Sequence, residues 1–261
     1  MSYDIRGKNV LVTGASSGIG AALAEGFARA GAVVGICARR AERLAEVLTR
    51  VRAHSPTSQM WTVDLARLDG ISEFAQRADS ALGGIDVLVN NAGIPKRKKV
   101  QSLTSGIVEE VMAINYFSPI RLTLALLPRL IERRGRIVNI SSVAARLGPP
   151  GEAAYTASKA ALTGWSESML IDLAETGVSV HVVNPGVIDT ELFTLPDNDE
   201  LVAPVEALPV EDIVNPVLEQ LASGTFEIYV PEWFVNVVGG KFTDTGKYFD
   251  GSIAWLRSQN Q

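Results

Sequence analysis

The chain has 261 residues, 47% apolar and 20% charged, with a formal net charge of −5. This composition allows a sizeable core and argues against disorder, and the acidic balance excludes an overall basic field for nucleic acid. One cysteine, Cys37, excludes an internal disulfide framework, and with only His54 and His181 beside it, distant in sequence, no His/Cys metal cluster is expected.

The N-terminal sequence MSYDIRGKNVLVTG lacks the charged region, apolar stretch and small-residue cleavage site of a secretory signal. No apolar run reaches the roughly 18 residues of a spanning helix. No transmembrane segment is therefore expected, and the cytoplasm is the expected location. Residues 8–13 (KNVLVT) are predicted as a strand and 19–30 as a helix that Gly31 is placed to end. Residues 32–37 form a second strand, followed by an amphipathic helix over 41–53. A third strand covers 59–63 and a third helix 69–82; the fourth strand is 86–89. A long helical region spans about 104–133, with Pro119 and Pro128 expected to bend or interrupt it. Strand 135–140, a long helix over 153–175, strand 178–183, a helix over 209–222 and a last strand over 227–230 complete the series.

Continuous Val/Ile/Leu runs belong to strands buried on both faces, hence to a parallel sheet covered by helices. The alternation predicts an α/β, Rossmann-like, doubly wound fold, with a mostly seven-stranded parallel sheet, helices on both faces and right-handed crossovers. With no internal repeat or long linker, residues 1–261 read as a single domain. The acidic, proline-bearing stretch 191–209 breaks the alternation. A substrate-covering insertion is expected at about 189–209 and a C-terminal tail at about 231–261.

Thr13-Gly14-Ala15-Ser16-Ser17-Gly18-Ile19-Gly20 joins the first strand to the first helix. Glycines here let the backbone turn sharply and approach a ligand, and the helix N-terminus offers N–H groups to a pyrophosphate. Alone, the turn also suits a tight junction that binds nothing, and its three residues between the first two glycines depart from the GxGxxG spacing. About 20 residues on, an NAD site places an acid on the ribose 2′-hydroxyl. Here that place holds Ala38, followed by Arg39 and Arg40. Arginine pairs with a 2′-phosphate through charge-assisted, forked hydrogen bonds, which favours NADP(H) over NAD(H), with Arg39 ahead of Arg40. The alternative is a solvated helix start.

Tyr155 and Lys159, four apart near the start of a long helix, share a face and can present a phenol and an ammonium to one cleft. A nearby cation lowers a phenol toward working pH. The spacing alone also suits an ordinary surface pair. Ser141 and Ser142 close the fifth strand, and Asn90-Asn91-Ala92-Gly93 closes the fourth. In open α/β sheets the strand C-termini line the ligand crevice. Asn115 is unfavourable inside a helix and needs a reason, either functional or as a buried, helix-bending amide.

With these residues together, the chain resembles the short-chain dehydrogenase/reductase family in its single-domain form, over about residues 8–230. The motifs are TGASSGIG at 13–20, Asp64-Leu65, NNAG at 90–93, Asn115, Ser142, Tyr155-xxx-Lys159, and Asn184-Pro185-Gly186 with Thr190. The resemblance implies that Tyr155 is the general acid in reduction and the base in oxidation. It implies that Ser142 hydrogen-bonds the substrate oxygen, that Lys159 holds the nicotinamide ribose and lowers the tyrosine, and that Asn115 supports a water on the proton path. Gly14, Ser16, Ser17, Gly18, Ile19 and Gly20 would hold the pyrophosphate, and Arg39 and Arg40 the 2′-phosphate. Asp64 and Leu65 would meet the adenine end, and Asn91, Ala92 and Gly93 the cofactor backbone. Pro185, Gly186, Ile188 and Thr190 would orient the nicotinamide. Some NADP-preferring relatives carry a second basic residue where this chain has Ser17, so phosphate recognition would rest largely on Arg39.

The implied protein is an NADP(H)-dependent oxidoreductase that interconverts a ketone or aldehyde and an alcohol. It would act on a fairly apolar small molecule, given Leu147, Leu192, Phe193 and Leu195 near the expected pocket. It would work as a homodimer or homotetramer, for which the alanine-rich face of the 153–175 helix is suited. A nucleotide-binding regulator and a redox-neutral dehydratase or epimerase remain as readings on the same fold. The basic run Lys96-Arg97-Lys98-Lys99 reads as a solvated loop, with an anionic group on a substrate or partner as the sharper reading. Cys37 is expected to pack as a small apolar residue beside the adenine pocket. His54 and His181 carry no role. Trp233, Phe234, Phe242, Tyr248, Phe249 and Trp255 in the tail are expected in core or subunit packing ahead of a pocket or membrane-surface role.

Overall fold

Val10 and Val12 pack to one side of the first strand and Leu11 to the other, and all three are fully buried. A strand covered on both faces needs helices on both faces. In this computed structural model, which describes residues 3–201 and 205–259, the strands are β1 (Asn9–Thr13), β2 (Val33–Ala38), β3 (Gln59–Thr62), β4 (Val87–Asn90), β5 (Arg136–Ile140), β6 (Ser179–Pro185) and β7 (Glu227–Val230). They form one parallel sheet in the order β3-β2-β1-β4-β5-β6-β7. The order reverses between β1 and β4, and there the crevice opens at the strand C-termini.

One face is covered by α1 (Gly18–Arg29), α2 (Ala41–Arg52) and α8 (Val214–Ser223), through Phe27, Leu44 and Val217. The other is covered by α3 (Ile71–Leu82), α4 (Ser105–Met112), α5 (Ser118–Glu132) and α7 (Ala153–Asp172), with Phe74, Leu122, Leu126 and Met169 at its centre. Three short helices lie at the C-terminal edge of the sheet: α6 (Ala144–Leu147), α9 (Phe234–Thr243) and α10 (Thr245–Ser258).

The architecture matches the sequence expectation, with differences that have physical causes. The interruption of the long helical region falls just before Pro119, which stands at the start of α5 and has no N–H to continue the helical ladder, while Pro128 lies inside α5 without breaking it. The break is a π-turn over Ala113–Phe117, centred on the buried Asn115. The joined helix of 28 residues, Ser105–Glu132, is long and apolar enough to span a membrane, against the expectation of no such candidate. Half of its most apolar stretch is buried inside the fold, as in a core helix. The helix expected over 209–222 opens as a 3-10 turn, Val210–Ile213. The tail forms two helices that its composition did not announce.

Candidate active site

The glycine turn is locked to the end of β4. Thr13 Oγ1 accepts from the N–H groups of Asn91 (2.9 Å) and Ala92 (3.0 Å), and Asn91 Nδ2 donates to the carbonyls of Thr13 (2.9 Å) and Gly14 (3.3 Å). This closeness dictates Gly20: a Cβ there would lie 2.4 Å from Asn91 Nδ2 and 2.6 Å from Gly14 O. The turn and the NNAG segment therefore form one floor.

Across that floor lie the two arginines that follow β2, and they behave differently. Arg40 donates to Ser16 Oγ (3.0 Å) and Ser17 Oγ (2.7 Å) and pairs with Glu191. Glu191 also accepts from Ser17 (2.7 Å) and pairs with Arg43. Partial burial raises the Glu191 carboxyl, but the hydrogen bonds from Ser17, Arg43 and Arg40 outweigh it and hold the group at about 2. Arg39 is exposed, lines the cleft and has no protein partner among the described residues. The second cation at the glycine turn, missing from position 17 in sequence, is thus supplied by Arg40 reaching back.

Lys159 is 4% exposed, and its Nζ donates to Ile140 O at 2.8 Å. Burial pulls its ammonium down to about 8. Tyr155, half-buried and one helical turn earlier, has its ring centroid 5.8 Å from that Nζ. Burial raises the phenol well above its ordinary range and Glu152 raises it further, while Ser142 and Arg97 ease it down. Ser142 Oγ accepts from Ala144 N–H (3.1 Å), and its own O–H faces the Tyr155 phenol. Asn115, 1% exposed, clamps Ile94 in both directions: Oδ1 accepts from Ile94 N–H (2.8 Å) and Nδ2 donates to Ile94 O (2.9 Å) and Ser158 Oγ (3.0 Å). A Cβ on Gly93 would stand 3.2 Å from Asn115 Oδ1 and 3.5 Å from Lys159 Nζ, so glycine is what lets these groups approach.

Gly14, Ser16 to Ile19, Arg39, Arg40, Asp64, Leu65, Asn91 to Gly93, Ser142, Tyr155, Lys159, Pro185, Gly186, Ile188 and Thr190 all line one cleft of about 1410 Å³. Of the expected site residues, only Gly20, packed under the turn, and Asn115, behind Ile94, stand off its wall. Asp64 also accepts from Ala66 N–H (3.1 Å) and so holds its own loop. Cys37 does not line the cleft; it is buried in the core with Leu11 and Leu88, and burial pushes its thiol up to about 12. A cleft this long, with a glycine floor, an exposed guanidinium at one end and a buried lysine at the other, fits a phosphorylated dinucleotide.

Sequence reasoning missed four groups. The basic run is not simply a solvated loop: Arg97 is 2% exposed and lines the cleft, while Lys96 pairs with Glu110 and Lys98 with Asp199. Glu152 and Glu191 also line the cleft, and Arg43 anchors Glu191. Position in a basic or acidic stretch gave no sign of these partners. The tail aromatics divide: Phe234, Tyr248 and Trp255 line the cleft, whereas Trp233, Phe242 and Phe249 are exposed. Leu147, Leu192 and Leu195 line it as expected; the Phe193 side chain and residues 202–204 lie outside the described part.

The family model described as short chain dehydrogenase matches residues 8–200. Nodulation protein G of Rhizobium meliloti is 33% identical over 244 residues, 91% of this chain and 98% of that one. The Dehydrogenase/reductase SDR family protein 7-like of Drosophila melanogaster is 41% identical over 193 residues, 71% of this chain; the match spans only 59% of that longer relative. Among solved structures, a short-chain dehydrogenase from Sphingobium yanoikuyae in complex with NADPH superposes with a TM-score of 0.80 at 29% identity, covering 96% of this chain and 95% of that one.

Proposed function

The chain belongs to the short-chain dehydrogenase/reductase family of oxidoreductases, and from that premise we propose that it is an NADP(H)-dependent carbonyl reductase, reversible as an alcohol dehydrogenase, in which Tyr155 moves the proton. The observation that carries this reading is the meeting of Ser142, Tyr155 and Lys159 in the same cleft as the glycine turn and Arg39. When bound, the nicotinamide supplies the hydride. Glycines of the 14–20 turn and the N-terminus of α1 would hold its pyrophosphate, and Arg39 and Arg40 its 2′-phosphate. The Sphingobium relative's NADPH supports that preference.

The rest belongs to the chain's own groups. The Ser142 hydroxyl, oriented by the bond it accepts from Ala144 N–H, donates to the substrate oxygen. The Tyr155 phenol, kept protonated by burial, gives its proton to that oxygen as negative charge develops there. A cation beside the phenolate left behind stabilises it, and Lys159 is the group in range. General-acid help of this kind contributes roughly 10²–10⁴ in rate. The cleft's leucines and tail aromatics suit an apolar substrate body. The single, buried Cys37 accords with a reducing, cytoplasmic setting, and a homodimer or homotetramer is the proposed assembly.

The deciding experiment is Tyr155→Phe assayed by NADPH oxidation with a panel of aldehydes and ketones. The variant should bind NADPH as the wild type does and lose all but about a thousandth of its turnover. A rate near wild type would remove Tyr155 from this role, and redox-neutral turnover with retained cofactor would favour a dehydratase or epimerase.

A further inference from the structure

Three loops converge at the substrate end of the cleft. Lys98 N–H donates to Gly151 O (2.8 Å), Arg97 N–H to Asn198 Oδ1 (2.7 Å) and Arg97 Nε to Asp199 O (3.1 Å). The junction encloses Glu152, which is 8% exposed and lines the cleft beside Tyr155. Glu152 stands at the N-cap position of α7, yet its side chain does not cap the helix. Among the described residues its carboxylate accepts no hydrogen bond and has no ion pair. The residue is largely buried, but its carboxylate oxygens are reached from the cleft, so the donor that the described residues do not supply comes from whatever occupies the cleft, water or ligand.

The charge around it narrows the donor. Arg97, buried in the same wall, acts on both Glu152 and Tyr155. With Lys241, Asp244 and Lys247 also on the cleft wall, the charges lining it are mixed in sign. A substrate ammonium would meet the Arg97 field and a substrate carboxylate would meet Glu152, so a neutral donor is the group best accommodated. We propose that Glu152 is a specificity-determining residue that accepts a hydrogen bond from a substrate hydroxyl, so that the preferred substrate is a hydroxy ketone with an apolar body. The proposal rests on the reductase reading for the ketone and on the Glu152 geometry for the hydroxyl. Leu147, Leu195, Phe234 and Trp255 line the same cleft and suit the apolar body.

Three pairs of near-isosteric probes test it: 2-hydroxyacetophenone with propiophenone, 3-hydroxypropiophenone with butyrophenone, and 4-hydroxybutyrophenone with valerophenone. Each is titrated calorimetrically into the enzyme with NADP⁺, where no reduction occurs, and assayed separately by NADPH oxidation. At least one hydroxy ketone should bind the wild type about tenfold or more tightly than its partner, since a site built for a hydroxyl rejects the analogue lacking it. Glu152→Leu should erase the preference and Glu152→Gln, which keeps an acceptor oxygen, should retain part of it. Equal binding within every pair, including no binding at all, overturns the proposal. So does a preference that survives in Glu152→Leu, or tighter binding of 2-amino-1-phenylethanone than of its hydroxyl counterpart. Should the leucine variant fail to fold, the wild-type pairs alone decide. Hydroxyl-selective binding without NADPH oxidation would sink the reductase reading and leave Glu152 in its role; reduction of both members at equal efficiency and affinity would do the opposite.

Discussion

At the level of single residues, the two arginines after β2 show how far identity alone reaches. Both are arginine and adjacent, but Arg40 is already paired with Ser16, Ser17 and Glu191, while Arg39 has no such partner among the described residues. Arg39→Ala should therefore weaken NADPH by about 10- to 100-fold, the scale of one lost charge-assisted hydrogen-bonded contact, and leave NADH nearly unchanged. Cofactor titrations by fluorescence would check this, and equal loss for both cofactors would leave the phosphate assignment without support. Glu152 has a thermodynamic signature of its own. Burial lifts its carboxyl from 4.5 to about 6 despite Arg97. The folded state then holds the proton more tightly than the unfolded chain does. The associated stability is fully present below about pH 4.5 and is lost as pH rises through about 6. Relative to Glu152→Gln, the wild type should lose about 2 kcal/mol between pH 4 and pH 8, at roughly 1.4 kcal/mol per pH unit of difference. Urea titrations of both proteins across that range would show it; a constant gap would mean that Glu152 is ionised as easily as in water. The residues that carry chemistry by type and spacing, Ser142, Tyr155 and Lys159, were legible in sequence. Glu152 and Arg97 were not, because their burial depends on a loop meeting spread over about a hundred residues of chain.

Among the elements, the break in the long α4–α5 helix and the loop after β6 do the positioning. Asn115 was singled out because it suits a helix poorly, and the structural reading describes it: the amide holds Ile94, and the π-turn it occupies brings it near Lys159 past Gly93. Pro119 marked the break to within a few residues and Pro128 did not, and the Asn115 clamp on Ile94 was out of sight because Ile94 lies about twenty residues away in the loop after β4. Asn115→Leu should leave the N–H and C=O of Ile94 without partners, at about 1–3 kcal/mol for each buried group. The urea midpoint should fall with the slope unchanged; an unaltered midpoint would show that the clamp is dispensable. Glu191 links the post-β6 loop to the glycine turn through Ser17 and to α2 through Arg43. Its bridges are partly exposed, so their worth lies in geometry and rate more than in stability. Glu191→Gln should speed NADPH dissociation by about two- to tenfold in stopped flow, with high salt reducing the difference. Identical release rates in the two proteins would make Glu191 a bystander.

In the molecule as a whole, the central strands were legible because a strand buried on both faces is largely apolar, as in β1, β2 and β4, whereas the edge strands β3 and β7 are only partly buried and carry polar residues. The C-terminal helices were not legible, because their attachment is small and its partners are remote. Among the described residues, Leu147, Phe234 and Val238 are the buried members of the cluster that docks them, with Lys241 donating to Arg146 O as a further tie. By contrast, the two clusters flanking the sheet hold most of the buried apolar residues. A unit with so few buried contacts opens at lower free energy than the body it sits on. Yet α9 and α10 carry Phe234, Tyr248 and Trp255 on the cleft wall. A lightly anchored segment therefore lines the cleft, which predicts that it opens more readily than the cofactor floor does. Amide exchange should reveal this as α10 amides exchanging at least tenfold faster than those of β4, β5 and β6, in a regime where the sheet exchanges only with global unfolding. Adding NADPH alone should protect the glycine turn, and adding a bound apolar ketone with NADP⁺ should extend protection to α10. If α10 is already as protected as β5 without ligand, the hairpin is part of the rigid body.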